Sequence, residues 1–295
     1  MDKLIHGLAA DATVRVMAAI TTETVREAVR RHNTAPTASV ALGRVLTGTL
    51  LLGSSLKDFD RLTVKIESNG SVEGIVAETV ADGKVRGYIK NPLADLPQKP
   101  DGAFDVAGIV GSGFMHVIRE SGFELGLHRD PYVGSVPLET GEIAEDFAYY
   151  LMKSEQIPSA VLLGDQLQPE APFVKCAGGV MIQMLPTANP NIAVMIEDTI
   201  LRAPRVSNAI LDGATPEELI KMTLGIIDYE ILGEKDVRFE CNCSHERAVA
   251  LVASLGPEEV RSMLEEDHGA TMNCGFCSNV YTLTEDDLRG ILEKN

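Results

Sequence analysis

The chain is short of positive charge. Twenty-six Lys and Arg stand against 43 Asp and Glu, a formal net charge of −17, which disfavours phosphate backbones and anionic membrane surfaces as partners. The bias persists near the end: from Val237 to Asn295 five basic side chains face eleven acidic ones, where a module gripping nucleic acid is expected to show the opposite sign. A nucleotide loop is also lacking. Gly108, Gly111 and Gly113 match neither G-x-G-x-x-G nor the Lys-bearing phosphate loop, so turns are expected there and no dependence on ATP. The first residues, with Asp2 and Asp11, lack the basic region and long apolar run of a secretory leader, which makes a reducing cytoplasm the expected compartment. The nearest approach to a membrane span, Ala38 to Leu56, contains Arg44 and is interrupted by Gly43, Gly48 and Gly53; a buried helix is the expected form.

Cysteine is scarce too, five in 295 residues, but its placement is informative. Cys241-Asn242-Cys243 is followed, after residues 244 to 273, by Cys274-Gly275-Phe276-Cys277. Four thiolates about 2.3 Å from one point make a tetrahedral zinc site, and in an extended C-x-C segment both sulfurs point to one side. Three uses remain open on spacing alone: a structural zinc site, structural disulfides, or a thiolate switch, since metal-held sulfur stays deprotonated and open to oxidants. His245 and His268 lie nearby, but four cysteines already complete a shell. Cys176 is unpaired in the sequence and reads as a small buried side chain.

The remaining pattern predicts where this cluster sits. An apolar fraction of 45% and a charged fraction of 23% are those of a globular protein. Val14, Val16, Ala18 and Ile20 alternate as in a strand with one buried face, and Thr21 and Thr22 offer a cap for a helix through His32. Pro36-Thr37 opens a helix of small residues against which sheets can pack. Leu62 to Glu67, Val72 to Val80 and Lys84 to Lys90, with turns at Asn69-Gly70 and Asp82-Gly83, predict an antiparallel meander. Met115 to Arg119 and Glu124 to Leu127 are further strand candidates, Glu142 to Glu155 an amphipathic helix, and Val161 to Leu163 and Phe173 to Leu185 strands closing a domain over residues 1–185. Residues 186–236 read as short helices, either a linker docked on its neighbours or an ordinary helical part of one domain. Residues 237–295 form a module with a sparse apolar set. Structural zinc contributes about 10–16 kcal/mol of apparent binding there, against about 5–15 kcal/mol for a whole domain, so loss of the metal should unfold it.

With these motifs in place the sequence resembles the heat shock protein 33 family, redox-regulated holdase chaperones of bacteria and some organelles. The resemblance is carried by Arg238-Phe239-Glu240-Cys241-Asn242-Cys243-Ser244, Cys274-Gly275-Phe276-Cys277, Arg30-Arg31-His32, Pro36-Thr37-Ala38, Glu145-Asp146, residues 154–159, and Gly178-Gly179 through Gln183-Met184-Leu185-Pro186. It implies an α+β N-terminal domain with antiparallel sheets and a buried central helix, a metastable helical linker, and a small C-terminal zinc-binding module. It implies Zn²⁺ on Cys241, Cys243, Cys274 and Cys277 in an inactive reduced state. On oxidation by peroxide or hypochlorous acid with unfolding stress, it implies disulfides Cys241–Cys243 and Cys274–Cys277, zinc release, a homodimer and capture of unfolded clients; the charge and the missing nucleotide loop add the expectation of no ATP, nucleic acid or membrane. A C-x-C disulfide closes a very small ring and short-range disulfides restrain little chain, so neither would replace the metal's hold between residues 243 and 274. Two other readings compete: a thiol-disulfide oxidoreductase, which shares C-x-x-C but places it at a helix N-terminus, and a zinc-ribbon interaction module.

Overall fold

Branched apolar residues at alternate positions build β1 (Lys3–Ala9) and β2 (Val14–Ile20), an antiparallel pair. In this computed structural model, which describes residues 1–57, 60–122, 130–170 and 173–294, the pair lies inside a five-stranded sheet. β9 (Val174–Met184) joins β2, β8 (Ser159–Leu167) joins β9, and β10 (Tyr229–Asp236) pairs with the other edge of β1, all antiparallel. The alternation in β2 predicts one buried face, but both are covered. Met17 and Ala19 belong to one apolar cluster and Val14, Val16 and Ala18 to another, because helices pack on each side of the sheet.

A second sheet has six strands. β3 (Arg61–Ser68), β4 (Ile75–Val80) and β5 (Lys84–Ile89) form the expected meander; β6 (Gly113–Glu120) adds to β3 and β7 (Tyr132–Pro137) to β6. Beyond β5 lies the two-residue β11 (Arg238–Phe239), the parallel member of an otherwise antiparallel sheet. The predicted strand at Glu124 to Leu127 lies outside the described residues. Between Asp105 and Gly111 the chain makes a short helix, α3 (Val106–Val110), where turns are predicted, and the Asp105 carboxylate caps it by accepting from the Gly108 N–H.

The core of this region is α2 (Pro36–Leu52), which packs against β8 and β9 of one sheet and β4 and β5 of the other. It opens on proline at its first turn, where the missing N–H costs nothing. Its cap comes from outside: Asp95 accepts from the Thr37 N–H and hydroxyl. The preceding helix, α1 (Thr22–His32), is treated the same way, with Asp2 Oδ2 accepting from the Thr24 N–H at 2.7 Å and hydroxyl at 2.8 Å. Together with Gly53–Ser55 (Pro36–Ser55), α2 is the described helix long and apolar enough to cross a membrane, yet 94% of its most apolar stretch is buried in the protein. Its one charge, Arg44, donates to Asp165 on β8 at 2.9 Å and to Glu142 at 2.8 Å, as a charge in a core must. His32 bonds the Gly87 carbonyl at 2.9 Å and is a satisfied structural residue. α4 (Ala144–Lys153) closes against β7 and β8; buried Asp146 collects the N–H groups of Glu139, Thr140, Gly141 and Ile143 ahead of it.

Between β9 and β10 run α5 (Pro190–Arg202), α6 (Val206–Leu211) and α7 (Pro216–Leu224), in the segment where short helices are predicted. Ile196, Val206, Leu219, Ile220 and Leu224 lie on Ile5, Val14, Val16, Val180 and Ile182, the face of the first sheet turned away from α2. The end of the segment differs from the prediction. Residues 229–236 are a strand, since Tyr229 and Ile231 alternate with acidic neighbours and find β1 to pair with.

The chain divides into two compact units, Met1–Glu240 and Cys241–Asn295. The second contains α8 (His245–Ala253), α9 (Pro257–Ser262) continued by a wider turn at Met263–Asp267, the hairpin β12 (Ala270–Asn273) and β13 (Val280–Leu283), and α10 (Glu285–Lys294). Its core is small: Ala248, Val252, Val260, Leu283, Leu288 and Ile291 are the buried members.

Candidate metal centre

The β12–β13 register, Asn273 opposite Val280, leaves residues 274–279 as the hairpin turn. Within it the Cys277 and Ser278 N–H groups donate to the Cys274 carbonyl at 3.3 and 2.8 Å, and the Cys274 N–H donates to Asn279 O at 2.8 Å. These bonds curl the turn so that both of its sulfurs face one point. The first pair is fixed by the start of α8, where Ser244 Oγ accepts from the Arg247 N–H and Arg247 Nη1 donates to the Asn242 carbonyl at 2.6 Å.

The four sulfurs meet. Cys241 Sγ lies 3.7 Å from Cys274 Sγ and Cys243 Sγ 3.3 Å from Cys277 Sγ, and all four fall within 4.8 Å of one another. A tetrahedron with bonds of about 2.3 Å has edges of about 3.8 Å, so the set fits a thiolate-bound metal ion in size and in donor type. Burial opposes ionisation of Cys243, but hydrogen bonds from the Tyr281 hydroxyl and the neighbouring thiols outweigh it and bring its pKa down to about 7. Burial pushes Cys277 the other way. The two histidines stand apart from this cluster: His245 Nε2 is 3.2 Å from Asp287 and His268 Nδ1 3.2 Å from Glu285. Thr284 and Asp287 form a capping box at the start of α10. Thr284 and His245 together draw Asp287 down to about 2.

Tyr281 has no place in the cysteine spacing and is not found by it. Strand alternation puts it opposite Met272, with its ring against the small core and its hydroxyl 3.0 Å from Cys243 Sγ. Cys176 is buried on β9, its Sγ 3.4 Å from the Ser207 carbonyl of α6. Burial and nearby Asp165 push its thiol up to about 11, so it is a poor nucleophile.

The sequence model of the family described as Hsp33 protein matches residues 2–284. The chain belongs to the Hsp33 family. It is 44% identical to the 33 kDa chaperonin of Listeria monocytogenes serovar 1/2a over 99% of both chains, and 41% identical to that of Bacillus licheniformis over the whole of both. Among solved structures, the 33 kDa chaperonin of Thermotoga maritima (heat shock protein 33 homolog) superposes with a TM-score of 0.88 at 33% identity, covering 99% of this chain and 98% of the other. The Hsp33 relatives are named as chaperonins, a non-enzymatic family. The placement of C-x-x-C agrees: in this Hsp33 it occupies a hairpin turn, not the N-terminus of a helix where an oxidoreductase carries it.

Proposed function

We propose that this Hsp33 chain is a redox-regulated, ATP-independent holdase of the cytoplasm, with the cysteine cluster as its sensor and unfolded proteins as its clients. The observation that carries the reading is the pairing of four convergent sulfurs with a core of only six buried side chains. Zn²⁺ suits the all-thiolate set, and when bound it would hold the sulfurs deprotonated and supply most of the module's stability. Cys241 and Cys243 would hold it from one side of α8, Cys274 and Cys277 from the hairpin.

An oxidant such as peroxide takes two electrons from each near pair. Disulfides Cys241–Cys243 and Cys274–Cys277 would form, with the oxidant reduced to water; the four sulfurs would then no longer hold the metal, and the helices over the six-residue core would lose their cross-link. The chain enters this module directly from β10 and β11, whose hold on the preceding segment then weakens. Residues 186–236 are the proposed metastable linker. As α5, α6 and α7 lift, the apolar face of Ile5, Val14, Val16, Val180 and Ile182 becomes available to clients, and two activated copies associate as a homodimer. The test measures zinc release and suppression of aggregation of a thermally unfolded protein, before and after peroxide treatment at elevated temperature. Stoichiometric zinc loss with onset of suppression is expected; retained zinc, or zinc loss without suppression, defeats the reading.

A further inference from the structure

Three features invite a further role. In the cleft of about 630 Å³ beside Arg44, Asp165 and Ser207 the two innermost charges, Arg44 and Asp165, already pair with each other, and Cys176 is a lone buried thiol. The Tyr281 hydroxyl is different, because it joins the module's core to a sulfur that reacts.

We infer that Tyr281 is a positioning residue that restrains oxidation at Cys243; this rests on the redox reading above. The phenol donates to Cys243 Sγ at 3.0 Å, while its ring packs on the core that includes Val252, Leu283 and Leu288. In the first oxidation step a sulfur lone pair attacks peroxide, the S–O bond forms, the O–O bond breaks and hydroxide leaves. A second thiolate then displaces hydroxide from the sulfenic sulfur to make the disulfide. A metal-held sulfur is already a thiolate, so there the hydrogen bond creates no further reactive form; it withdraws the electron density that the first step uses and occupies one approach to the sulfur. The restraint lasts only while the ring stays seated. β13, which carries Tyr281, is four residues long, and the core beneath it is small. Heat that loosens the core therefore withdraws the hydroxyl and unmasks the sulfur. Tyr281 thus makes thermal loosening and peroxide act together on one atom.

The experiment compares the full-length zinc-loaded protein with Tyr281→Phe, which keeps the ring and removes the donor. Alkylation by iodoacetamide is followed at each cysteine by mass spectrometry, alongside the rate of zinc release under peroxide. Removal of a hydrogen-bond partner to a metal ligand typically costs about 10–100-fold in metal affinity or activity, and a sulfur held less tightly by the metal is modified faster. A rise of roughly ten-fold in modification of Cys243, larger than that at Cys274 and accompanied by faster zinc release, is expected. The same protein with 3-fluorotyrosine at position 281, a stronger donor, should react more slowly than wild type, which keeps the idea testable if the Phe variant folds poorly. Equal rates, or an equal rise at all four cysteines, overturns the inference. If wild-type protein keeps its zinc under peroxide, the redox reading fails, while the alkylation ratio still decides whether Tyr281 restrains Cys243.

Discussion

The two units of this chain are stabilised in opposite ways. Met1–Glu240 encloses α2 in a large apolar cluster, with leucines such as Leu42, Leu46 and Leu51 fully buried; each such side chain contributes about 1.5–3 kcal/mol. Cys241–Asn295 has six buried members in its core and four sulfurs within 4.8 Å of one another. A large core loses little when one contact goes, whereas a module held at one point loses nearly everything when that point is chemically altered. On the proposed function the sensor falls in the second kind of unit and the client surface in the first.

The strongest way to test the contrast is to remove the metal without oxidant. Chelation of the reduced protein should abolish amide-exchange protection across α8, α9 and α10, since the binding free energy of about 10–16 kcal/mol exceeds what so small a core supplies. The helix α2 should stay protected. Loss of protection in both units together would make them one cooperative structure.

A smaller effect is expected from loosening the helical cover alone. Gly164 on β8 and Gly178 on β9 stand opposite one another across the strand pair, and α6 rests on them. A Cβ on Gly164 would lie 2.5 Å from the Ser207 backbone nitrogen and one on Gly178 2.6 Å from Ile210 Cδ1. Gly164→Ala must therefore displace α6, at an overpacking cost of about 1–3 kcal/mol. Amide exchange over residues 206–211 should quicken at least several-fold, and clients should be bound while zinc remains in place. Unchanged exchange would mean that the sheet yields instead of the helix.

The smallest effect concerns pH. Burial, then Lys235 and Arg15, lower the pKa of His6 on β1 below its ordinary 6.5. The neutral ring is thus favoured by folding: its contribution is complete above pH 6.5 and is lost as pH falls through 6.5 towards the depressed folded value. For a partly exposed ring the thermal midpoint of the first unit should drop by about 1–2 °C between pH 7.5 and 5. His6→Gln should flatten that dependence; an identical slope would exclude His6 as its source.

The same contrast governs what was legible in the sequence. The second unit's cysteine cluster could be read because its members lie in close pairs, and its caps, Ser244 and Thr284, sit beside the helices they start. In the first unit α1 could be located, but not its cap: Thr21 stands at the right place, yet its hydroxyl bonds Thr47 at 2.7 Å while Asp2, twenty-two residues before Thr24, satisfies the helix. β10 was hidden for a similar reason, since its partner β1 is at the other end of the unit. Residues whose roles depend on distant neighbours, Asp95 and Tyr281 among them, carry no local mark.

α5, α6 and α7 begin where β9 ends and finish where β10 begins, and those two strands share a sheet. As long as β10 keeps its pairing, the released stretch is a loop fastened at both ends, not a tail. Doubling the length of such a loop adds only about 0.6 kcal/mol to its closure, and its local concentration over the vacated surface remains in the millimolar range. On the proposed function, letting go of a client would then be displacement by a leashed competitor, a contest that diffusion does not limit.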